Sequence, residues 1–372
     1  MPLLWGLNRF GRACDSEGVS HASRSRAYER VALLEDARLD LPELFDEVSR
    51  VLADALPREA ACWHSTDPVS LIETSFRVEH MPPPDARIAE VAYLSGDYNS
   101  FVELATGRRH SGVLSTATGG DPARSYRYRE ILRPNSIHGE LRTSFVVDGA
   151  CWGCFAFFRP APADFTELER DFAHELAPVL GRCFRAAGRR VRSEGPGARL
   201  WPGVLVVDGD RRVESATPRA AHWLAELGFA GRPECDPLPF ALLAVLERVR
   251  TDGRETSARV LGASGDWVEV HAAPASRAEH DRDRRVAVVL QAATVPAMAP
   301  LISAAYGLTA RERELTELVL RGRATTEIAE QLFVSPHTVQ SHLKSIFAKV
   351  GVRSRRELVG RVYARHDGSA PG

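Results

Sequence analysis

The chain has 372 residues, which is enough for two or three domains of ordinary size. Apolar residues make up 44% and charged residues 26%, values typical of folded globular proteins, so extensive disorder and a membrane-protein composition are excluded. The net charge is -1, yet 46 of the 48 basic residues are Arg, and the two lysines, Lys344 and Lys349, lie five positions apart. Residues 309–365 carry eleven basic and six acidic side chains, a net of +5, which leaves -6 elsewhere. Such an asymmetry is typical of a nucleic-acid-binding segment joined to a different kind of domain.

The sequence shows no targeting signal, and its cysteines do not form a metal-site pattern. We therefore predict a cytoplasmic protein without a metal or cofactor site. No apolar run reaches the roughly 18 residues needed to cross a membrane. Asn8 and Arg9 interrupt the apolar N-terminus before a signal-peptide core could form. Cys151 and Cys154 form a C-x-x-C, but they lie in a strand pattern, where positions i and i+3 face opposite sides of a sheet. We therefore interpret this pair as structural.

The first part of the chain predicts an α+β domain at residues 40–190. Residues 1–39 are expected to form an N-terminal extension that is partly disordered, over the first 20 residues, and partly helical. Leu44, Phe45, Val48, Leu52 and Leu56 recur at helical spacing and predict one apolar stripe. The expected elements that follow are strands at 60–63 and 73–78, helices at 87–94 and 98–106, a hairpin of 140–147 and 150–159, and a helix at 166–187.

Three local motifs relate this segment to a known family. They are the D-G-x-x-W-G of Asp148 to Gly153, a strand that ends at Arg159, and the Phe165-Thr166 start of the closing helix. On these residues the segment resembles a GAF domain. The resemblance implies a sensor-like fold with a ligand pocket, and it implies no particular ligand.

A second α+β domain is predicted at residues 200–295. The Gly-, Ser- and Pro-rich stretch Ser193 to Arg199 indicates a linker before it. Two strands around an Asp-Gly turn come first, then helices near 217–227 and 240–250, then strands at 255–261, 267–273 and 285–291. Two strands, helices and three strands is the order of a PAS domain, which this segment resembles.

The C-terminal segment, residues 303–368, predicts an all-α domain of four helices whose ends are marked in the sequence. Thr309 with Glu312 forms a capping box at the first helix, and Gly322 ends it. Ser335 caps the third helix, whose first residue is a proline, and Gly351 ends that helix. Ser354 with Glu357 predicts a second capping box. The second and third helices have the lengths and the short connection of a helix-turn-helix.

The predicted third helix has two distinct faces. Val339, Leu343, Ile346 and Val350 form an apolar stripe that is expected to pack on the second helix. The other side carries polar and cationic residues suited to base edges and phosphates: His337, Gln340, Ser341, Lys344, Ser345 and Lys349. The solvent-exposed face of any amphipathic helix can have the same pattern. The pattern alone therefore leaves open whether this face binds DNA or only contacts solvent.

Four motifs identify residues 303–366 as similar to the LuxR (GerE-type) DNA-binding domain. They are L-T-x-R-E from Leu308, E-I-A-x-x-L from Glu327, S-x-x-T-V from Ser335, and H-L-x-x-I-F-x-K from His342. The resemblance implies that the third helix reads double-stranded DNA and that the fourth supplies a homodimer contact. By position, the resemblance implies contacts to DNA from Thr325, Thr326, Thr338, Val339, Gln340, His342, Lys344 and Lys349. The cap and the polar face of the predicted third helix add Ser335, His337, Ser341 and Ser345. Gln340 stands where the family commonly has Lys or Arg, which removes one cationic contact.

The sequence therefore predicts a transcriptional regulator in which a GAF-like and PAS-like region senses an unknown signal, through a small-molecule ligand or otherwise. RNA polymerase is a further partner that this function implies. An enzyme is the rival class, but scattered histidines such as His64 and His110 lack metal-ligand spacing, and no phosphate-binding loop or nucleophile elbow occurs, so no catalytic residue is expected. A protein-interaction adaptor with a degenerate helix-turn-helix is the remaining alternative.

Overall fold

The computed structural model describes residues 21–83, 85–93, 96–189, 201–231, 236–275 and 285–363. These residues form two α+β domains, each built on a five-stranded antiparallel sheet, followed by a helical C-terminal region. The fold class predicted from the sequence is thereby confirmed. The predicted disorder of residues 1–20, the predicted linker at 193–199 and the predicted domain end at 368 lie outside the described residues.

The first domain is a sheet with helices on both faces. Its strands lie in the order β2-β1-β5-β4-β3, with every neighbouring pair antiparallel. The predicted strands and longer helices are present, whereas β3 and α5 were not expected. The elements are α1 (His21–Leu33), α2 (Leu41–Leu52), β1 (Ala60–Thr66), β2 (Glu73–Glu79), α3 (Ala86–Ala92), α4 (Phe101–Thr106), β3 (Ser111–Val113), α5 (Leu114–Ala117), β4 (Ile137–Val147), β5 (Ala150–Pro160) and α6 (Glu167–Arg189).

Strand alternation divides the core of this domain between the two faces of the sheet. Trp63 and Phe157 point to the face covered by α1, α2 and α6, with ring centroids 5.0 Å apart. Phe158 belongs to the opposite cluster, which α4 covers through Phe101. All five apolar positions predicted for one helical stripe are buried, but α2 ends at Leu52, so Leu56 lies beyond the helix. Each large side chain buried in this way contributes about 1.5–3 kcal/mol of transfer free energy.

Cys151 and Cys154 lie on β5 as free, buried thiols. Burial raises the pKa of both, and that of Cys154 well above its ordinary value. A thiol whose pKa is raised stays protonated at neutral pH and is a poor nucleophile. Their environment therefore agrees with a structural role.

The second domain repeats the strand order of the first, as β7-β6-β10-β9-β8. Its helix α8 is apolar all round because it packs on its own sheet and also on β2 and α3 of the first domain. Ile72 and Tyr93 of the first domain accordingly lie in one apolar cluster with Leu242 and Leu246. The elements are β6 (Gly203–Val207), β7 (Val213–Ala216), α7 (Ala220–Glu226), α8 (Phe240–Asp252), β8 (Thr256–Leu261), β9 (Trp267–Pro274) and β10 (Val286–Ala292).

A helix that the sequence analysis did not predict, α9 (Val295–Ala305), connects the second domain to the C-terminal helices. Met298, Leu301 and Ala305 of α9 join the apolar cluster of the first domain, so this connector is docked rather than free. The C-terminal helices are α10 (Ala310–Leu320), α11 (Thr325–Gln331), α12 (Pro336–Val350) and α13 (Arg355–Tyr363). In the part of the chain that the structure describes, no helix has the length and apolar character to cross a membrane.

Candidate nucleic-acid interface

The ends of α12 are set by local hydrogen bonds and backbone conformation. Ser335 Oγ accepts a hydrogen bond from the amide of Thr338 at 3.0 Å, and Pro336 occupies the first helical position. Gly351 ends the helix with φ at +72°, a left-handed conformation that glycine adopts without steric cost. All three positions agree with the sequence prediction.

The predicted capping boxes behave differently at α10 and α13. Thr309 and Glu312 exchange both bonds, with 2.7 Å from the Thr309 amide to Glu312 Oε2 and 3.3 Å from the Glu312 amide to Thr309 Oγ1. At α13, Ser354 Oγ accepts from the Glu357 amide at 3.0 Å, but Glu357 accepts from the amide of Arg353 instead of Ser354. The second capping box is therefore corrected to a serine cap with a displaced return bond.

One face of α12 packs against the apolar core of the C-terminal helices. Val339, Leu343, Ile346 and Val350 are buried against an apolar cluster that includes Ile328 of α11. This packing was predicted, and it orients the helix. Val339 was also placed among the DNA-contacting residues by the family resemblance, yet its side chain is fully buried here, so it positions α12 and presents nothing to solvent.

The opposite face of α12 is exposed and polar. His337, Gln340, Ser341 and Lys344 are exposed, while Thr338 and His342 are half-buried at its edges. On α11, Thr326 is exposed and Thr325 is half-buried, both in the first turn. Lys344 makes no hydrogen bond or ion pair with the described residues, so its ammonium group can contact a partner without breaking an internal bond.

Ser345 and Lys349 are held by Glu312 of α10. Ser345 Oγ donates to Glu312 Oε1 at 2.6 Å, and Lys349 Nζ lies 2.7 Å from Glu312 Oε2. Burial raises the pKa of the Glu312 carboxyl, but hydrogen bonds from Lys349, Ser345 and Thr309 outweigh it and hold the pKa at about 2. Glu312 therefore stays ionised at neutral pH and ties α10 to the C-terminal half of α12. The sequence analysis placed Glu312 only in a capping box and missed this second role.

The turn between α11 and α12 carries an exposed aromatic side chain that the sequence analysis also missed. Phe333 is 95% exposed and has φ at +54°, which is rare for a residue with a side chain. Arg311 of α10 donates to the adjacent carbonyl of Leu332 at 2.5 Å and supports the turn from within the domain. The turn thus places an aromatic ring in solvent beside the polar face of α12.

Two packed helices joined by a short turn, with one face of the second helix buried and the other polar and exposed, define a helix-turn-helix domain. Residues 307–362 match the family of bacterial regulatory proteins called the luxR family. The spore germination protein GerE of Bacillus subtilis is 44% identical to this chain over 52 residues, which are 14% of this chain and 70% of GerE. The chain belongs to the luxR family.

Two other comparisons extend beyond these helices. A Mycobacterium bovis protein described as an HTH-type transcriptional regulator is 28% identical over 214 residues, which cover 53% of this chain and 24% of that protein. This chain thus spans about a quarter of that relative's length. The solved structure of the GAF domain from a phosphoenolpyruvate-protein phosphotransferase of Coxiella burnetii has 21% identity and a TM-score of 0.31, and covers 44% of this chain and 93% of that one. So low a TM-score does not establish a common fold.

Proposed function

We propose that the chain is a sequence-specific DNA-binding transcriptional regulator whose two α+β domains sense a signal and control the helix-turn-helix. The observation that carries the proposal is the division of α12 into a buried apolar face and an exposed face that bears Lys344. A helix built in this way fits the roughly 12 Å wide major groove while the rest of the domain holds its orientation.

The exposed side chains have complementary roles in this proposal. Gln340 has the donor and acceptor needed to pair with adenine N6 and N7, and Lys344 can reach guanine or a phosphate. Ser335 and His337 lie at the N-terminus of α12, where the helix dipole favours phosphate oxygens, and Thr325 and Thr326 approach the backbone from α11. Because Gln340 takes the place of a cationic side chain, α12 has one fewer electrostatic attraction to phosphate. It has instead a side chain that can form hydrogen bonds to a base.

Assembly, partners and location follow from the same function. We infer a homodimer through α13, since two recognition helices then contact half-sites one helical turn apart. RNA polymerase is the partner that a regulator bound at a promoter would affect, and DNA binding requires that the protein work in the cytoplasm. The nature of the signal and the direction of regulation are separate questions.

Selection from random-sequence duplex DNA, followed by footprinting, tests this function. We expect an enriched motif made of two half-sites about one helical turn apart. The double variant Gln340→Ala, Lys344→Ala is the control, and it should enrich no motif while remaining folded, because both side chains are exposed. If the wild-type protein enriches no sequence, it is better described as a protein-interaction adaptor, and the proposal fails.

A further inference from the structure

A cleft of about 870 Å³ lies between the two α+β domains. Its walls come from α2, β1, β2, β5 and α6 of the first domain, from α7, the start of α8, β8 and β9 of the second, and from Leu301 of α9. Domain interfaces are preferred places for small-molecule sites, and this volume falls within the range of about 300–1,000 Å³ that such sites occupy. The cleft is distinct from the α12 surface proposed to bind DNA.

The lining of the cleft includes six aromatic side chains, with hydroxyl groups on one wall. Ser65 Oγ lies 2.9 Å from Thr74 Oγ1 and 2.6 Å from Ser75 Oγ, which forms a small group of adaptable donors and acceptors. Flat rings of an occupant can stack against these aromatic side chains. Those side chains are Phe45, Phe76, Trp152, Phe184, Phe240 and Trp267.

One polar group in this wall lacks a partner. The indole N–H of Trp152 is buried and reaches no acceptor among the described residues, although the ring lines the cleft. This nitrogen has almost no accessible surface, so an occupant of the cleft meets the ring carbons of Trp152 and not its N–H. An acceptor on the occupant is met instead by the hydroxyl groups of Ser65, Thr74 and Ser75.

Both cationic side chains around the cleft are already paired within the chain, which argues against an anionic occupant. Asp67 pairs with Arg259 at 2.6 Å, and Arg77 pairs with Asp46 at 2.8 Å. The remaining two carboxylates accept backbone or hydroxyl hydrogen bonds: Asp40 from Glu43, and Glu226 from Ser264. An anionic ligand would have to lose its hydration without gaining a free counter-charge.

The floor of the cleft connects both domains to α9. Arg259 donates through Nε to Asp67 Oδ2 and through a second guanidinium nitrogen to the carbonyl of Ala297 in α9 at 3.0 Å. Leu301, one turn further along α9, touches both the cleft and the core of the first domain. An occupant that contacts Leu301 therefore acts on the helix that leads into α10.

We propose that this cleft binds an aromatic compound that carries a hydrogen-bond acceptor and no negative charge, and that occupancy stabilises the docked position of α9. The effect of α9 on DNA binding rests on the proposed function, whereas ligand binding and the response of α9 do not.

Ligand-observed NMR with the full chain tests the binding site. The probes are acetophenone, coumarin and indole-3-carbaldehyde, and ethylbenzene is the analogue of acetophenone that lacks the acceptor. We expect at least one carbonyl probe to bind at about 1 mM or below, and acetophenone to bind more tightly than ethylbenzene. Ser75→Ala should weaken the carbonyl probes by up to about tenfold, the ratio for one hydrogen bond, and leave ethylbenzene unaffected.

A steric variant provides the matched control. A Cβ at Gly188 would meet only Trp152, at 3.7 Å, so Gly188→Leu places a side chain in the cleft without a clash in α6. Glu175→Leu adds the same side chain to the exposed face of α6. We expect Gly188→Leu to abolish probe binding and Glu175→Leu to preserve it. Absence of carbonyl-probe binding to the wild type, or equal binding to both variants, would overturn the proposal.

Hydrogen exchange of the α9 amides tests whether binding of a probe also stabilises the docked position of α9. Saturating probe should slow exchange at residues 297–305 in the wild type and have no effect in Gly188→Leu. Unchanged exchange in the wild type would overturn the coupling to α9. Neither measurement contains DNA, so a failure to bind DNA would contradict the proposed function and leave the cleft assignment intact.

Discussion

Lys344 and Lys349, the chain's two lysines, occupy contrasting environments on the same helix. Lys344 is exposed and forms no bond with the described residues, whereas Lys349 pairs with the buried carboxylate of Glu312 at 2.7 Å. The family resemblance assigns both lysines to DNA. Spacing along one helix does not reveal that an acidic residue of another helix already pairs with one of them. The contact with Glu312 gives Lys349 a structural role in the C-terminal helices.

Lys344→Ala is expected to weaken binding of the selected DNA by about 1–3 kcal/mol, or about 5- to 150-fold, if Lys344 reads a base. Because the side chain has no internal partner, amide exchange of α12 should be unchanged. Lys349→Ala is the comparison, and it should speed exchange in α10 and α12 as well as weaken binding. The measurement is fluorescence anisotropy on matched and scrambled duplexes. Equal loss on both duplexes would assign Lys344 to a phosphate.

Glu312 makes the stability of the C-terminal domain dependent on pH. Its pKa in the folded chain, about 2, lies below the ordinary value of 4.5, so its contribution is complete above pH 4.5 and is lost as the pH falls towards 2. Glu312→Gln should lower the free energy of opening of α12 by about 1.5–3 kcal/mol at pH 6, with the deficit shrinking towards pH 3. Hydrogen exchange at each pH measures this difference.

The matched control for that change is Glu314→Gln. Glu314 is in the same helix and pairs with Arg311, but both side chains are more than a third exposed. An exposed pair contributes about 0–1 kcal/mol, so the control should leave α12 almost unaffected. A deficit for Glu312→Gln that stays constant from pH 6 to pH 3 would contradict the assigned role of its charge.

At the scale of elements, most of the helix ends and strand pairs were predictable because their signals are local. The caps of α10 and α12, the hairpin of β4 and β5, and the helix-turn-helix packing all depend on residues within a few positions of each other. β3 was missed because three residues are too short for a pattern. α9 was missed because its apolar sequence, VPAMAPLISAA, has no polar face and contains two prolines, and only docking on the first domain explains its burial.

The junction between domains could not have been predicted, since Asp67 and Arg259 are 192 positions apart. Their side chains are 0% and 6% exposed. Asp67→Asn is expected to cost about 3–5 kcal/mol because it leaves the Arg259 charge buried without a carboxylate. Thermal unfolding of the full chain, followed with hydrogen exchange of β8 and α9, measures the loss.

Asp46→Asn is the matched control for the junction. Asp46 pairs with Arg77 at a similar distance, 2.8 Å, but the two side chains are 60% and 56% exposed. Its removal should cost no more than about 1 kcal/mol. Similar losses for the two variants would mean that the buried pair does not hold the domains together.

At the scale of the whole molecule, the near-neutral net charge is the sum of two opposite parts. The segment 309–365 carries +5 and the remainder -6. Among the described residues, the basic segment forms α10 to α13, and it is preceded by two domains of one topology that share an apolar cluster and a cleft. Under the proposed function, these two domains are the sensing region, and the docked helix α9 connects them to the DNA-binding helices.

The central claim, sequence-specific DNA binding through α12, is tested most directly by affinity for the selected and the scrambled duplex between about 50 and 200 mM salt. We expect log affinity to fall linearly with log salt for both duplexes, because phosphate contacts release counterions. We also expect a preference of about 10³-fold or more for the selected duplex, which the double variant Gln340→Ala, Lys344→Ala loses. Equal affinity for the two duplexes, or wild-type preference retained by the double variant, would contradict the account.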